Sequence, residues 1–462
     1  MSEDNEPPLV KYKYPLIGHT WDYLSNVGDF IAKCRAQYGN IFTINVHGRM
    51  LTIVGKEYAH EIFVSKDCSF ARGFDEITPL NEILGLERNF TSATAELVRK
   101  TLMDNVDVYT HHFQNVLHEK VEEEFGNLET KNVDSPLDFV QDIVSKTMAS
   151  ILLGEEARRV PEMMSILLET SRVIGESWFI PNTLSYIHPY LHRLRVLWTV
   201  RRAGDIPQKN MALLAQLIKP IVDDRIRKEK TLGSSWKEPV DLLSGLINNK
   251  RIDKSNVDYR WIAVHIQLMV FVAVHSTAAF GANCLIGINW EELLEEQLEV
   301  NPENKKIITN EETNKMERMD SFIKESLRMS GVVVDMYHKV LESGFQFSNG
   351  YSLPPGSMIA IDKNSIHFDQ TYTFGNPLEF DGNRYFQKDS PSTKVGKTYI
   401  AFGLGRHVCP GRFFAVLEIK LLMAHLIRSF VIKPVGKTRI KNLTFAGFII
   451  PFDKLVFERR TK

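Results

Sequence analysis

The segment AFGLGRHVCPGRFFAVLE (401–418) concentrates the residues best able to do chemistry. Glycines at 403, 405 and 411 surround Cys409, and an apolar run with helical spacing starts directly behind it. A cysteine just ahead of a helix N-terminus meets free backbone N–H groups and the positive end of the helix dipole. Both favour thiolate over thiol. A thiolate is a strong, soft donor to iron, and small residues beside it let the backbone approach a flat ligand closely. The competing reading is a buried cysteine beside a glycine-rich turn, the default for an isolated one.

Two further stretches carry unusual residues. KMERMDSFIKESLRM (315–329) places Glu325 and Arg328 three apart, on one helix face, and FDGNRYF (380–386) follows with Arg384. Residues 261–290, WIAVHIQLMVFVAVHSTAAFGANCLIGINW, hold no Asp, Glu, Lys or Arg. About 20 apolar residues suffice to cross a bilayer, yet His275, Ser276 and Thr277 stand in the middle of the run. The two hydroxyls either bond back to carbonyls of the preceding helical turn or hold water and protons.

In content and order these stretches resemble the cytochrome P450 family. Phe402, Gly405, Cys409 and Gly411 match its haem signature F-x-x-G-x-R-x-C-x-G, with His407 where Arg is usual, as in fungal members. Glu325-x-x-Arg328 and Arg384 match its E-x-x-R pair and third partner. The resemblance implies that these three form a buried structural network, with His367 and Asp369 as scaffold beside it. VAVHSTA (272–278) is similar to the distal-helix pattern [AG]-G-x-[DE]-T-[TS], with Ala273 at the glycine, His275 at the acid and Ser276 at the threonine position, followed by Thr277. YPLIGH, YGNIFTINVHG and LPPGSMI also look like family landmarks, so the likeness runs along nearly the whole chain.

The resemblance implies haem b with the Cys409 thiolate as axial ligand, and Phe402, His407 and Gly411 around the cofactor. Arg99 or Lys100 would meet a haem propionate, although the aromatic or His usual shortly before them is replaced by Ala95-Glu96. It implies proton delivery by Ser276, Thr277 and His275. The reaction would be monooxygenation of a bulky apolar small molecule, steroid or terpenoid, with O2. Electrons would come from NADPH through a partner flavoprotein reductase, because the chain has no room for a flavin domain. The paired hydroxyls favour this over a haem-thiolate isomerase or dehydratase that rearranges a peroxide without a reductase; a haem sensor or carrier, the third reading, would show no substrate-induced spin change and no turnover. Segments expected to face substrate (74–92, 178–190, 264–277, 330–337, 443–449) are largely apolar, as at Phe74, Ile77, Leu80, Leu84, Val332, Val333, Val334, Phe445 and Phe448.

The 462 residues carry a formal net charge of -1, which argues against a nucleic-acid partner. Cys34, Cys68, Cys284 and Cys409 lie far apart, a pattern suited to a reducing compartment rather than a disulfide framework. Residues 1–15 are charged and Pro-rich. They read as a cytoplasmic start or as the stretch behind a trimmed membrane anchor, and the fungal resemblance favours the endoplasmic reticulum membrane, cytosolic face. ESWFIPNTLSYIHPYLHRLRVLW (176–198) reads equally as a membrane-surface segment and as a channel lining.

These pieces must be positioned by a frame. FTINVHGRMLTIVG (42–55) alternates around His47-Gly48-Arg49 as a hairpin. Helical periodicity dominates from about 90 to 330, LLAQLIKPIVDDRIRKEK (213–230) being a clear case. Strand patterns with turns at Asn349-Gly350 and Pro354-Pro355-Gly356 return over 332–361. An irregular stretch comes next over 363–400, then a helix over 412–430 and closing strands. The expectation is a single domain, mainly α with a small β region, spanning 1–462.

Overall fold

The structure is a computed structural model. It describes residues 5–15, 17–77, 79–85, 105–158, 160–179, 188–202, 204–285, 290–303, 305–330, 334–435, 442–445, 448–451 and 454–460. Residues 261–284 of the uncharged run lie in one helix, Tyr259–Cys284, whose N-terminus is capped by the Asp258 carboxylate accepting from the Trp261 amide at 2.9 Å. It passes through the main core and packs against the helices Pro136–Arg158, Ile206–Leu232, Pro161–Phe179 and Arg412–Ser429. Of its most apolar window, 78% is buried inside the protein. The run therefore lacks charge because neighbouring helices surround it, since an unpaired buried charge is costly.

One face of this helix is an exception. Val272 is 53% exposed, and Ala273, Ser276 and Phe280 are half-buried, while most other residues from Ile262 to Leu285 are buried. Positions 272, 276 and 280 recur every four residues, so they form one stripe.

The β portion lies beside the helices. A five-stranded sheet aligns Ile41–Val46, Arg49–Val54, Met358–Asp362, Val334–Val340 and Cys68–Ser69 in that order. Val46 pairs with Arg49, leaving a two-residue loop in which His47 (φ 54°) and Gly48 (φ 66°) are both left-handed. That geometry matches the twist of a hairpin. The Pro-rich opening docks on this sheet, with the Val10 amide donating to the Thr43 carbonyl at 2.9 Å. The turn signals at Asn349-Gly350 and Pro354-Pro355-Gly356 both fall between short strands, with Gly350 and Gly356 at positive φ. Residues 363–400 form turns apart from one short helix, Asn364–His367. The C-terminal strand Leu455–Arg459 joins Phe430–Pro434 and Thr130–Val133 in a second sheet. The main core is helical, and the expected mainly α architecture with a minor β region is what the chain adopts.

Candidate active site

The cysteine loop is built by local backbone bonds. The Cys409 amide donates to the Phe402 carbonyl at 2.8 Å, and the Gly403 amide to the Ile400 carbonyl at 2.9 Å. A 3-10 turn spans Gly405–His407 and the helix Arg412–Ser429 begins three residues after the cysteine. Two of the three glycines have a reason the sequence did not show. Gly403 (φ 75°) and Gly405 (φ 59°) are left-handed, and a Cβ on either would stand 2.6 Å from the His407 carbonyl or 2.8 Å from the Phe63 carbonyl. They close the loop on itself and on the helix Ala59–Val64. Of the three, Gly411 alone faces open space, so only this glycine fits the expected close approach to a flat ligand.

At the sulfur, the amides of Gly411 and Arg412 and the Arg412 guanidinium pull the Cys409 thiol down, as expected at a helix start. Burial outweighs them and pushes it up. The helix effect is present, but the apolar surroundings that sequence could not weigh are larger. Arg412 braces the loop by donating to the Cys409 and Thr393 carbonyls, each at 3.1 Å.

Behind the loop lies the charged network. Arg328 grips the Glu325 carboxylate with two bonds of 2.8 Å, and Arg384 Nε reaches Glu325 Oε1 at 3.0 Å. All three side chains are buried. Arg328 also donates to the His367 and Pro377 carbonyls at 2.8 Å, and Arg384 to those of Phe374, Asn376 and Glu379. His367 is fully buried, and its Nε2 accepts from the Ile400 amide at 3.1 Å. The chain of bonds thus runs from Arg328 through His367 to the residue on which the cysteine loop closes. Burial and nearby cations hold His367 neutral, as an acceptor must be. Asp369 is instead ion-paired at 2.5 Å with Lys56, near the surface.

The triplet on the central helix divides. Ser276 lies on the accessible stripe, and its Oγ donates to the Val272 carbonyl at 2.7 Å, the back-bond of a helix hydroxyl. Its lone pairs remain available on that face. Thr277 is buried. His275 turns toward the helix Pro161–Phe179, where the Ser171 backbone meets its ring, while its Nε2 is buried without a protein partner. Gln267 reaches the same helix, donating to the Leu167 carbonyl at 3.2 Å and Ser171 Oγ at 2.9 Å.

Other expectations separate in the same way. Leu80, Leu84 and Val334 are core residues rather than lining, while Phe74 and Ile77 are half-buried. Arg99, Lys100, Val332 and Val333, and the side chains of Phe445 and Phe448, lie outside the described residues. No sequence feature pointed to His338. It is fully buried, its ring lies 4.9 Å from that of His407, and neither Nε2 has a protein partner. A lone histidine in a strand offers no local pattern to find it by.

These residues fit a haem. A thiol that receives two backbone N–H groups stands beside an open glycine and two buried, partnerless imidazole nitrogens, and all belong to or touch one loop. Among the described residues no three His, Cys, Asp or Glu cluster as a metal site.

Comparison with known proteins agrees. A family model described as cytochrome P450 matches residues 7–457. Cytochrome P450 monooxygenase BOA4 of Botryotinia fuckeliana is 34% identical over 50% of this chain and 48% of its own length. The ent-kaurene oxidase of Gibberella intermedia is 27% identical over 67% of this chain and 58% of its own length. The chain thus spans about half the length of the first and under two thirds of the second. In structure, a retinoic acid-bound cyanobacterial CYP120A1 superposes with a TM-score of 0.69 at 18% identity, covering 98% of each chain. That likeness shows the fold.

Proposed function

We propose that this chain, which belongs to the cytochrome P450 family, is a haem-thiolate monooxygenase that inserts one atom of O2 into a bulky apolar substrate. The observation that carries the proposal is the Cys409 loop, whose sulfur is met by the Gly411 and Arg412 amides and whose closure is tied to the buried Glu325 network. Cys409 would hold the haem iron, with Phe402, His407 and Gly411 around it, and the haem when bound supplies the oxygen-activating chemistry. The chain's own part is to exclude water and to manage protons. Ser276 presents oxygen lone pairs on the accessible stripe of the central helix, where a proton can be held close to substrate. Thr277 follows it, and His275 orients the neighbouring helix.

The substrate class proposed is steroid or terpenoid. The accessible stripe, Val272, Ala273 and Phe280 around Ser276, offers no charged group, and the ent-kaurene oxidase relative supports the terpenoid end of that range. Electrons from NADPH through a flavoprotein reductase complete the reading. Residence on the cytosolic face of the endoplasmic reticulum is supported by the helix Pro189–Arg202. Tyr190, Leu194 and Trp198 recur there every four residues, 60%, 45% and 57% exposed, with Arg201 and Arg202 beside them. An exposed aromatic stripe with flanking arginines suits a lipid surface, and of the two readings of 176–198 it favours the membrane over the channel lining.

The test has two parts. Reduced protein with carbon monoxide should absorb at the thiolate-type position, and Cys409→Ser should abolish that band. A panel of steroids, terpenes and fatty acids should then yield a hydroxylated product only with NADPH and reductase. Conversion of a peroxide without either would overturn the monooxygenase reading in favour of an isomerase or dehydratase.

A further inference from the structure

Lys324 is a buried cation that neither the cysteine loop nor the Glu325 network uses. It stands on the helix Glu317–Met329, which grips the irregular stretch 385–393. Ser321 Oγ accepts from the Tyr385 amide at 2.9 Å, and Asp320 accepts from the Ser392 amide and hydroxyl at 2.6 and 2.8 Å. Lys324 Nζ donates to Ser390 Oγ at 2.6 Å and to the Ser390 and Pro391 carbonyls at 3.1 and 3.3 Å. The ammonium lies between the rings of Tyr385 and Tyr399, 4.5 Å from each centroid. The residue is only 2% exposed. Yet among the described residues no carboxylate pairs with it: Asp320 pairs with Lys420 at 2.8 Å, and Asp389 with Lys394 at 3.0 Å. A buried cation without a paired anion is costly. Burial accordingly pulls Lys324 down to about 8, although Asp320 pulls it up from a distance.

Ser390 and Pro391 also line a surface cleft of about 640 Å³, shared with Tyr385, Lys388 and Lys420, which leaves ample room for one added phosphate group. Ser390 is half-buried between the exposed Asp389 and Pro391. A residue before proline is held extended, the form in which a chain lies along another protein's cleft. We propose that Ser390 is a phosphorylation site, its phosphoryl group being the counter-ion that Lys324 lacks. The phosphoryl donor is a nucleoside triphosphate, brought by a protein kinase that accepts proline after the target residue. The Ser390 oxygen bonds the terminal phosphorus, the bond from that phosphorus to its bridging oxygen breaks, and nucleoside diphosphate leaves. The hydroxyl proton passes to the kinase's base. The added oxygens accept from Lys324 in charge-assisted bonds and fasten 385–393 to the helix. In the same stretch the Thr393 carbonyl accepts from Arg412, which also donates to the Cys409 carbonyl, so the modification reaches the cysteine loop through one arginine. The site itself does not depend on the haem reading.

The test treats the full, folded chain with ATP and a mitogen-activated protein kinase, which accepts serine followed by proline, and locates the phosphate by mass spectrometry. Phosphate should appear on Ser390 and be missing from Ser390→Ala at that peptide. No phosphate on Ser390, or phosphate there only after unfolding in urea, overturns the proposal. A phosphorus NMR titration then reads the pairing. Ser135 also precedes a proline, so this step uses Ser135→Ala protein, in which one phosphoserine reports. An unpaired phosphoserine gives up its second proton near pH 6, at about 6. Beside Lys324 it should do so at least about one pH unit lower, because a neighbouring cation favours the dianion. Lys324→Met removes the charge, keeps the length, and should return the value to about 6. An ordinary value with Lys324 intact, or a lowered one that Lys324→Met leaves in place, overturns the proposal. If Lys324→Met does not fold, the phosphorylated protein is titrated folded and in urea, and equal values overturn it.

Discussion

Arg384→Met is the sharpest test of the scaffold behind the cysteine loop. Arg384 binds Glu325 at 3.0 Å and satisfies the carbonyls of Phe374, Asn376 and Glu379. Both charged side chains are essentially inaccessible, at 2% and 0%. The variant leaves Glu325 with one cation instead of two and three carbonyls without this donor. Removing one partner of a buried pair typically costs about 3–5 kcal/mol, against less than about 1 kcal/mol for an exposed pair such as Arg72–Glu342. For 462 residues unfolding as one unit, an unfolding entropy of about 2.1 cal/mol/K per residue gives about 1 kcal/mol/K. The midpoint should therefore fall by about 3–5 °C, with Arg72→Met as a control that moves it by about 1 °C or less. Differential scanning of both variants measures this. An Arg384→Met midpoint indistinguishable from that of the control would refute the reasoning, because the buried carboxylate would then be tolerating the loss of a neighbour that the geometry says it needs.

Three further outcomes are expected. The His425 imidazole, buried beside His118, Arg428 and Lys306, is pulled down to about 3 from its ordinary 6.5. The unfolded chain therefore binds a proton that the native one refuses between those values, and stability falls as pH drops through that window by up to about 1.4 kcal/mol per unit. Urea midpoints at about pH 7 and pH 5 should show His425→Gln losing about 2 kcal/mol less than wild type, and equal losses would contradict it. Ser276→Ala with Thr277→Ala should leave haem content intact and divert electrons to hydrogen peroxide, a relay group being worth about 10²–10⁴-fold. Wild-type coupling of NADPH to product in that double variant would assign the triplet to packing. Leu194→Ser with Trp198→Ser should weaken binding to vesicles containing anionic lipid by at least about tenfold, since burying one such side chain contributes about 1.5–3 kcal/mol, and unchanged co-sedimentation would remove the membrane role from that helix.

Local features were legible in the chain alone. The cysteine loop, the Glu325–Arg328 spacing, the His47-Gly48 hairpin and the helix behind Cys409 each lie within a few residues, where backbone geometry and side-chain type act directly. The absence of charge over 261–290 announced a helix in an apolar setting, and only the packed helices around it decided that the setting is protein core. Tertiary packing also decided everything set by residues far apart in the chain. It showed why Gly403 and Gly405 must be glycine, since the atoms they avoid include the Phe63 carbonyl. It turned His275 toward Ser171 while leaving Ser276 on the open stripe, a division that no triplet reveals about itself. It made burial outweigh the helix start at Cys409. And it brought His338 against His407 through a bulge closed by Gly73, three segments whose meeting depends on the sheet register and leaves no trace in the spacing of any one of them.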